Sequence, residues 1–443
     1  MRFRKRSILS KSGSLLLACL WSALCLGSQA SADVAAGDVI DKTNWEKIGG
    51  MVPEPVLNYV KKGDLTIRVD DLDFDPREYM SSYDKQYLES NKGKYDLNEE
   101  GVIIEVPGGK PPDFIEGIPF PEIDLNDPKA GSKIVFNNFY HGYTQGSINW
   151  PTKIRWIGRG GYERSVDMSF KQFPMDGLPS RKGNTNKENV ERYTIIQITA
   201  PFDIAGTNIL LWRYRDTRSD STFAYIPAIR RVRRMSPANR SDSYVGSDLC
   251  VDDAWTFDGK VSAFTWKLLG KQEGLLPYVY KTVQPLGNEG EVWTTTQRTP
   301  LLEMNFERND AKEAPWFPSE KNPLVWVKRP VYVLELTAKD PYYNYGKMQL
   351  WVDAGNCHVT VWKVVYDRAD TYWKNVWLVF AGFANEDKSM RLMIPNFMLV
   401  VDDRTDHATV INVRGGEGLP QRFYDTLQQE GDYSLAGFQQ LAK

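Results

Sequence analysis

From Lys133 to Val413 apolar and polar residues alternate with a period of two. The runs include KIVFNNFYHG, SINWPTKIRWIG, YERSVDMSFKQF, RYTIIQIT, SAFTWKLLG, VYVLELTA, GKMQLWVDA, CHVTVWKVVYDR, VWLVFAGF and SMRLMIPNFMLVVDD, with turn residues between them. Such alternation puts every second side chain on one face of a strand, and short strands separated by turns join most simply as an antiparallel meander. The pattern predicts a mainly β fold with peripheral α: a large curved antiparallel sheet, or incomplete β-barrel, covered by helices. The helices are expected at the two ends. Between Val34 and Leu97, Thr43 can cap NWEKIG, Pro53 starts PEPVLNYVKK and Pro76 starts REYMSSYDKQYLESN. Residues 107–132 are so rich in Pro, Gly and Asp that they read as an extended connection. After Gly418, Leu419–Glu430 and Tyr433–Leu441 read as two short amphipathic helices. The expected divisions are 1–32, 33–132, 133–413 and 414–443.

Both faces of several strands are apolar. In the hairpin predicted from Thr207–Asp216 and Ser221–Ile226, Leu210, Trp212 and Tyr214 share a face with Phe223 and Tyr225, while Ile209, Leu211, Arg213 and Arg215 take the other. Further on, Trp351 opposes Met348, Leu350 and Val352, and Trp362 opposes Val359, Val361 and Val365. A sheet apolar on both faces is either packed against protein on each or lines a cavity. In the second case Leu210, Trp212, Tyr214, Phe223, Tyr225, Trp351 and Trp362 form the hydrophobic wall of a slot suited to a lipid.

The second strand of the hairpin runs into Arg230, Arg231, Arg233 and Arg234, which strand alternation must divide between two faces, so that some lie near the core. A buried guanidinium needs a carboxylate or an anionic ligand. Asp242, Asp248, Asp252 and Asp253 follow within twenty residues or so. Two readings stand: a structural ion-pair network, or one or two arginines left free to hold an anionic head group.

The N-terminus sets the compartment. Arg2, Arg4, Lys5, Arg6 and Lys11 precede the apolar Leu15–Leu26, and Ala30-Ser31-Ala32 is an A-x-A cleavage signal, so residues 1–32 read as a secretory signal peptide. Its removal takes 55 Lys+Arg down to 50 against 57 Asp+Glu, and the net charge from −2 to −7. A mildly acidic periplasmic protein lacks the broad positive field that nucleic-acid binding needs. Cys19 and Cys25 leave with the signal. Cys250 and Cys357 remain as a disulfide candidate whose loop of about a hundred residues is worth roughly 4 to 5 kcal/mol in the chain-entropy model.

Signals for chemistry are sparse. His141, His358 and His407 stand alone, outside any metal-ligand spacing. There is no GxSxG elbow and no phosphate loop, and the adjacent pairs Asp252/Asp253 and Asp402/Asp403 do not set two carboxyls across a bond. The expectation is no catalytic residue, no metal and no cofactor. Trp293, Trp316 and Trp373 would alternatively suit a carbohydrate-binding surface, since sugar rings stack on indoles.

Several segments carry a resemblance: GIPFPEIDLNDPKAGSKIVFNN, PFDIAGTNILLWRYRD, FAYIPAIRRVRRMS, GSDLCVDDAWTFDG and WKLLGKQE. They resemble domain-of-unknown-function family 1329, from Gly37 to about Val413, whose central part resembles the lipoprotein-sorting proteins of the LolA/LolB type. The resemblance implies an incomplete β-barrel whose apolar interior accepts acyl chains, acting as a periplasmic carrier of a lipid or similar hydrophobe beside an RND-type exporter or an outer-membrane protein. It marks Arg230, Arg231, Arg233, Arg234, Asp248, Asp252 and Asp253 as motif positions, followed by Trp266 and Lys267, and transfers no catalytic residue. Cys250 inside GSDLCVDD departs from the expected pattern.

Overall fold

A computed structural model of the chain describes residues 34–296, 302–355, 359–412 and 420–441. The N-terminal part runs through β1 (Val39–Ile40), α1 (Glu54–Lys62), β2 (Ile67–Val69), α2 (Ser82–Tyr87), β3 (Tyr95–Leu97), β4 (Ile103–Glu105) and α3 (Ala130–Tyr143). The strands that follow are β5 (Ile148–Gly158), β6 (Gly161–Pro174), β7 (Val190–Ala200), β8 (Asn208–Tyr214), β9 (Ser221–Ile226), β10 (Arg231–Met235) and β11 (Phe264–Tyr278). After them come β12 (Gln284–Glu289), β13 (Val292–Thr295), β14 (Val325–Ala338), β15 (Lys347–Asp353), β16 (Thr360–Tyr366), β17 (Tyr372–Ala384), β18 (Arg391–Asp402), β19 (His407–Asn412), β20 (Arg422–Phe423) and α4 (Leu435–Leu441).

The expected meander is present. Antiparallel neighbours run β11-β14-β15-β16-β17-β18-β19-β5-β6-β7-β8-β9-β10. Right-handed twist accumulates along so many strands, and the sheet curls until Tyr278 of β11 meets Phe380 of β17, closing five strands into a ring. Trp362 sits inside the aromatic core there, with ring centroids 5.9 Å from those of Trp351 and Trp377 and 6.1 Å from that of Trp326. A second closure runs from β17 through β12, β13 and β20 to β5. At the opposite end β10 pairs only with β9 among the described residues, so it is a free edge.

The ends of the chain depart from expectation in places. Pro53 does open α1, which stops at Gly63 in the left-handed conformation, φ 80°. KIVFNNFYHG, read as a strand, is instead the body of α3, whose residues are buried on nearly every side. A fully buried helix loses the 3.6-residue signature and cannot be told from a strand by period alone. In the described part of the tail Leu435–Leu441 is an α-helix as expected, preceded by a 3-10 turn over Glu430–Tyr433, while Arg422–Phe423 pairs as β20 instead of joining a helix over Leu419–Glu430.

Candidate functional site

Strand register defines one continuous inner face. Leu378 opposes Met398, Met398 opposes Ile411, Ile411 opposes Ile154, and the row continues on the same face through Met168, Phe170, Ile196 and Ile209. The cover is the chain itself. Loop Tyr244–Trp255 lies on this face, and α3 lies beside it. Beneath the loop is an apolar hollow of about 70 Å³ lined by Trp150, Met168, Phe170, Leu249, Val251 and Trp255, among others. A second hollow of about 50 Å³, against α3, shares Trp150, Trp255, Leu378 and Pro395 with the first. Trp255 is the partition, its ring centroid 4.2 Å from that of Trp150 and 5.2 Å from that of Phe170.

The loop is bracketed by strained backbone. Val245 has φ 45°, Trp255 φ 57° and Thr256 φ 70°. Left-handed conformations of β-branched and bulky residues cost on the order of 1 to 3 kcal/mol each and persist only where the surroundings over-determine them. Here the surroundings are charged groups on the inner face. Asp248 accepts from Thr409 Oγ1 at 2.7 Å and pairs with His407 Nδ1 at 2.7 Å. Asp253 meets Lys363 Nζ at 2.5 Å and accepts from Tyr345 at 2.7 Å and from the Cys250 N–H at 2.8 Å. Asp252 accepts from Arg240 Nε at 2.7 Å and from Tyr343 at 3.0 Å.

These partners tune the acids in opposite directions. Burial works against ionisation of Asp253, but the ammonium groups of Lys363 and Lys374 outweigh it and hold the carboxyl down at about 2. For Asp252 burial prevails over Arg240 and raises the carboxyl above its ordinary value. The hydrogen bond to Asp248 raises His407, and burial pushes the Cys250 thiol well up.

A wider cavity is lined by charged and apolar side chains together. About 510 Å³ opens beside Asp220, Arg240, Asp252, Lys260, Phe264 and Tyr343. Its inner wall belongs to a buried charge network: Arg213 donates to Asp220 at 3.0 Å and to the Asp258 carbonyl at 2.6 Å, and Arg240 donates to the same carbonyl at 2.9 Å. Asp220 Oδ1 and Arg240 Nη1 are buried without a hydrogen-bond partner among the described residues. No three His, Cys, Asp or Glu side chains among the described residues are grouped to hold a metal ion.

A family model described as protein of unknown function, DUF1329, matches residues 39–439. The chain belongs to the DUF1329 family. No curated protein matches it in sequence. Among solved structures it is similar to one described as an outer membrane lipoprotein-sorting protein domain from Vibrio parahaemolyticus, at 16% identity over 71% of this chain and 100% of that one, TM-score 0.46. It is also similar to a DUF1329 family protein from Desulfovibrio piger, at 15% identity over 69% and 98% of the two chains, TM-score 0.43. A LolA superfamily protein from Nitrosomonas europaea aligns at 15% identity over 66% and 91%, TM-score 0.36.

The residues expected to form one hydrophobic wall in this DUF1329 chain are divided by the tertiary structure. Leu210, Trp212, Tyr214, Phe223 and Tyr225 do share a face, but it is the face turned away from the loop, and Tyr433 and Phe438 of the C-terminal tail fill it. Trp212 Nε1 donates to the Tyr433 carbonyl at 2.8 Å. Trp351 and Trp362 sit apart from them, in the closed ring of the main core. Arg230, Arg231, Arg233 and Arg234 are exposed on and beside the edge strand β10, not near the core, so the aspartates do not neutralise them. The basic groups that meet Asp248, Asp252 and Asp253 are His407, Arg240, Lys363 and Lys374. Lys363, set in the apolar run VTVWKVV, was the available signal. Cys250 is buried, its sulfur 3.3 Å from the Tyr345 hydroxyl. Cys357 and His358 lie outside the described residues, as does the signal segment. Trp316, expected as an exposed sugar platform, is fully buried, while Trp293 and Trp373 are partly so.

Proposed function

We propose that this protein is a periplasmic carrier of a lipid or similar hydrophobe, and that the guest enters between loop Tyr244–Trp255 and the inner face. The observation that carries the reading is the apolar hollow under a loop with left-handed residues at both ends. At about 70 Å³ the hollow is less than half the volume of an engineered cavity that admits benzene. The loop must therefore lift, and Trp255 must leave, before an acyl chain can lie on the inner face. Each methylene then buried contributes about 0.8 kcal/mol, so a long chain supplies on the order of 10 kcal/mol toward unseating the loop. A carrier of this kind would hand its guest to a membrane partner, an RND-type exporter or an outer-membrane acceptor, without chemistry of its own.

The test is displacement of a dansyl-labelled fatty acid, combined with mass spectrometry of lipid extracted from protein isolated from the periplasm. Trp255→Ala joins the two hollows and is expected to tighten probe binding at least several-fold. Failure of both proteins to bind the probe, together with the absence of co-purifying lipid, would overturn the reading. A second reading, carbohydrate binding, is favoured by the 510 Å³ cavity in which the rings of Tyr343 and Phe264 lie beside the charged Asp220, Arg240 and Lys260. Retention on a glycan array, abolished by Tyr343→Ala with no lipid signal, would select it.

A further inference from the structure

One end of the sheet groups exposed apolar side chains with arginines. The turn between β7 and β8, residues 201–207, carries Phe202, which is 97% exposed. Register sets the β9–β10 turn beside it: Gln197 opposes Asn208, Asn208 opposes Tyr225, and Tyr225 opposes Val232. Both turns therefore leave the sheet at the same end. The second turn exposes Ile226 and Ile229, at 39% and 42%, and Arg230, Arg231, Arg233 and Arg234 follow directly.

None of these four guanidinium groups forms an ion pair among the described residues, and only that of Arg234 has a hydrogen bond there, to Ser221 Oγ at 3.1 Å. Asp203 is the single carboxylate in the two turns, in a chain whose net charge is −2. A charged edge strand is a common guard against edge-to-edge pairing of sheets, which would account for the arginines. It does not account for three large apolar side chains at the tips, since exposed apolar groups work against that guard.

We propose that this end of the sheet docks on an anionic lipid bilayer. Phe202, Ile226 and Ile229 enter the interfacial region, where burial of their apolar surface is favourable, and the arginines bind lipid phosphates through paired N–H donors. Tips followed by cations match the layering of such a surface, with hydrocarbon below and phosphate above. The assignment is independent of the ligand reading, and either can fail without the other.

The test is co-sedimentation of the mature chain with vesicles of phosphatidylglycerol and phosphatidylcholine, against vesicles of phosphatidylcholine alone. Binding is expected to the anionic vesicles and to fall with salt. At about 1 kcal/mol per arginine near such a surface, Arg230→Ser, Arg231→Ser and Arg233→Ser together lower partitioning on the order of a hundredfold. Phe202→Ser with Ile229→Ser lowers it as well and leaves the melting temperature unchanged, because both side chains are exposed. No binding to anionic vesicles, or equal binding to neutral ones, overturns the proposal. Full retention by the Phe202→Ser, Ile229→Ser protein also overturns it, and points to an acidic protein partner instead.

Discussion

Lys363→Met tests whether buried charge holds the loop down. Lys363 and Asp253 are both fully buried, 2.5 Å apart, so little solvent screens the pair. Asp253 is held at about 2 against an ordinary 3.8, which corresponds to about 2 kcal/mol of stability from this group at neutral pH. Removing one member of a buried pair costs about 3 to 5 kcal/mol, because the other charge stays in low dielectric. Lys374 Nζ, 3.7 Å from Asp253, remains as partial compensation, so a loss of about 3 kcal/mol is expected. Urea unfolding followed by tryptophan fluorescence, with m near the upper end of about 1 to 3 kcal/mol/M, should show the midpoint falling by about 1 M. Adding Asp253→Asn removes the stranded charge and should restore at least about 1.5 kcal/mol, while amide exchange of residues 244–256 should accelerate in the single variant. The sign with pH follows from the direction of the shift. In the parent protein the contribution of Asp253 is complete above 3.8 and is lost as the pH falls toward 2. In Lys363→Met burial prevails, the carboxyl rises, and acidification relieves the penalty. The stability gap between the two proteins is therefore widest near neutrality and closes in acid. A loss under about 1 kcal/mol, or no recovery in the double variant, would refute the account of the loop.

Two further outcomes follow from the same geometry. Asp248 at 2.7 Å raises His407 above 6.5, with Glu163 3.4 Å away on the other ring nitrogen. The resulting stabilisation is complete below 6.5 and is lost as the pH rises through the raised value, so Asp248→Asn should flatten the dependence of the urea midpoint on pH above 6.5. An NMR titration of His407 that does not move in the variant would contradict this. Leu210→Ala should cost about 2 to 5 kcal/mol by leaving a cavity under Tyr433 and Phe438, and should expose the tail to limited proteolysis near residue 430. A tail as resistant as in the parent protein would show that Leu210 does not seat it.

The period-two pattern was enough to predict a mainly β, antiparallel chain, because alternation is imposed by the strand itself and needs no knowledge of its neighbours. It was also enough to group Leu210, Trp212 and Tyr214 with Phe223 and Tyr225. It could not say which face of that hairpin looks inward. That depends on where the sheet curls, through contacts such as Tyr278 with Phe380 that lie about a hundred residues apart in sequence. The fate of the arginines was open for the same reason: β10 is an edge, and an edge strand can leave its side chains in water whatever their alternation. The acidic loop was visible as GSDLCVDD, but its partners Lys363, Lys374 and His407 lie on strands more than a hundred residues away. Residue order determined the strands and their two faces. Only folding decided which face was covered by loop, tail or water, since burial is a property of the assembled sheet and not of any one segment.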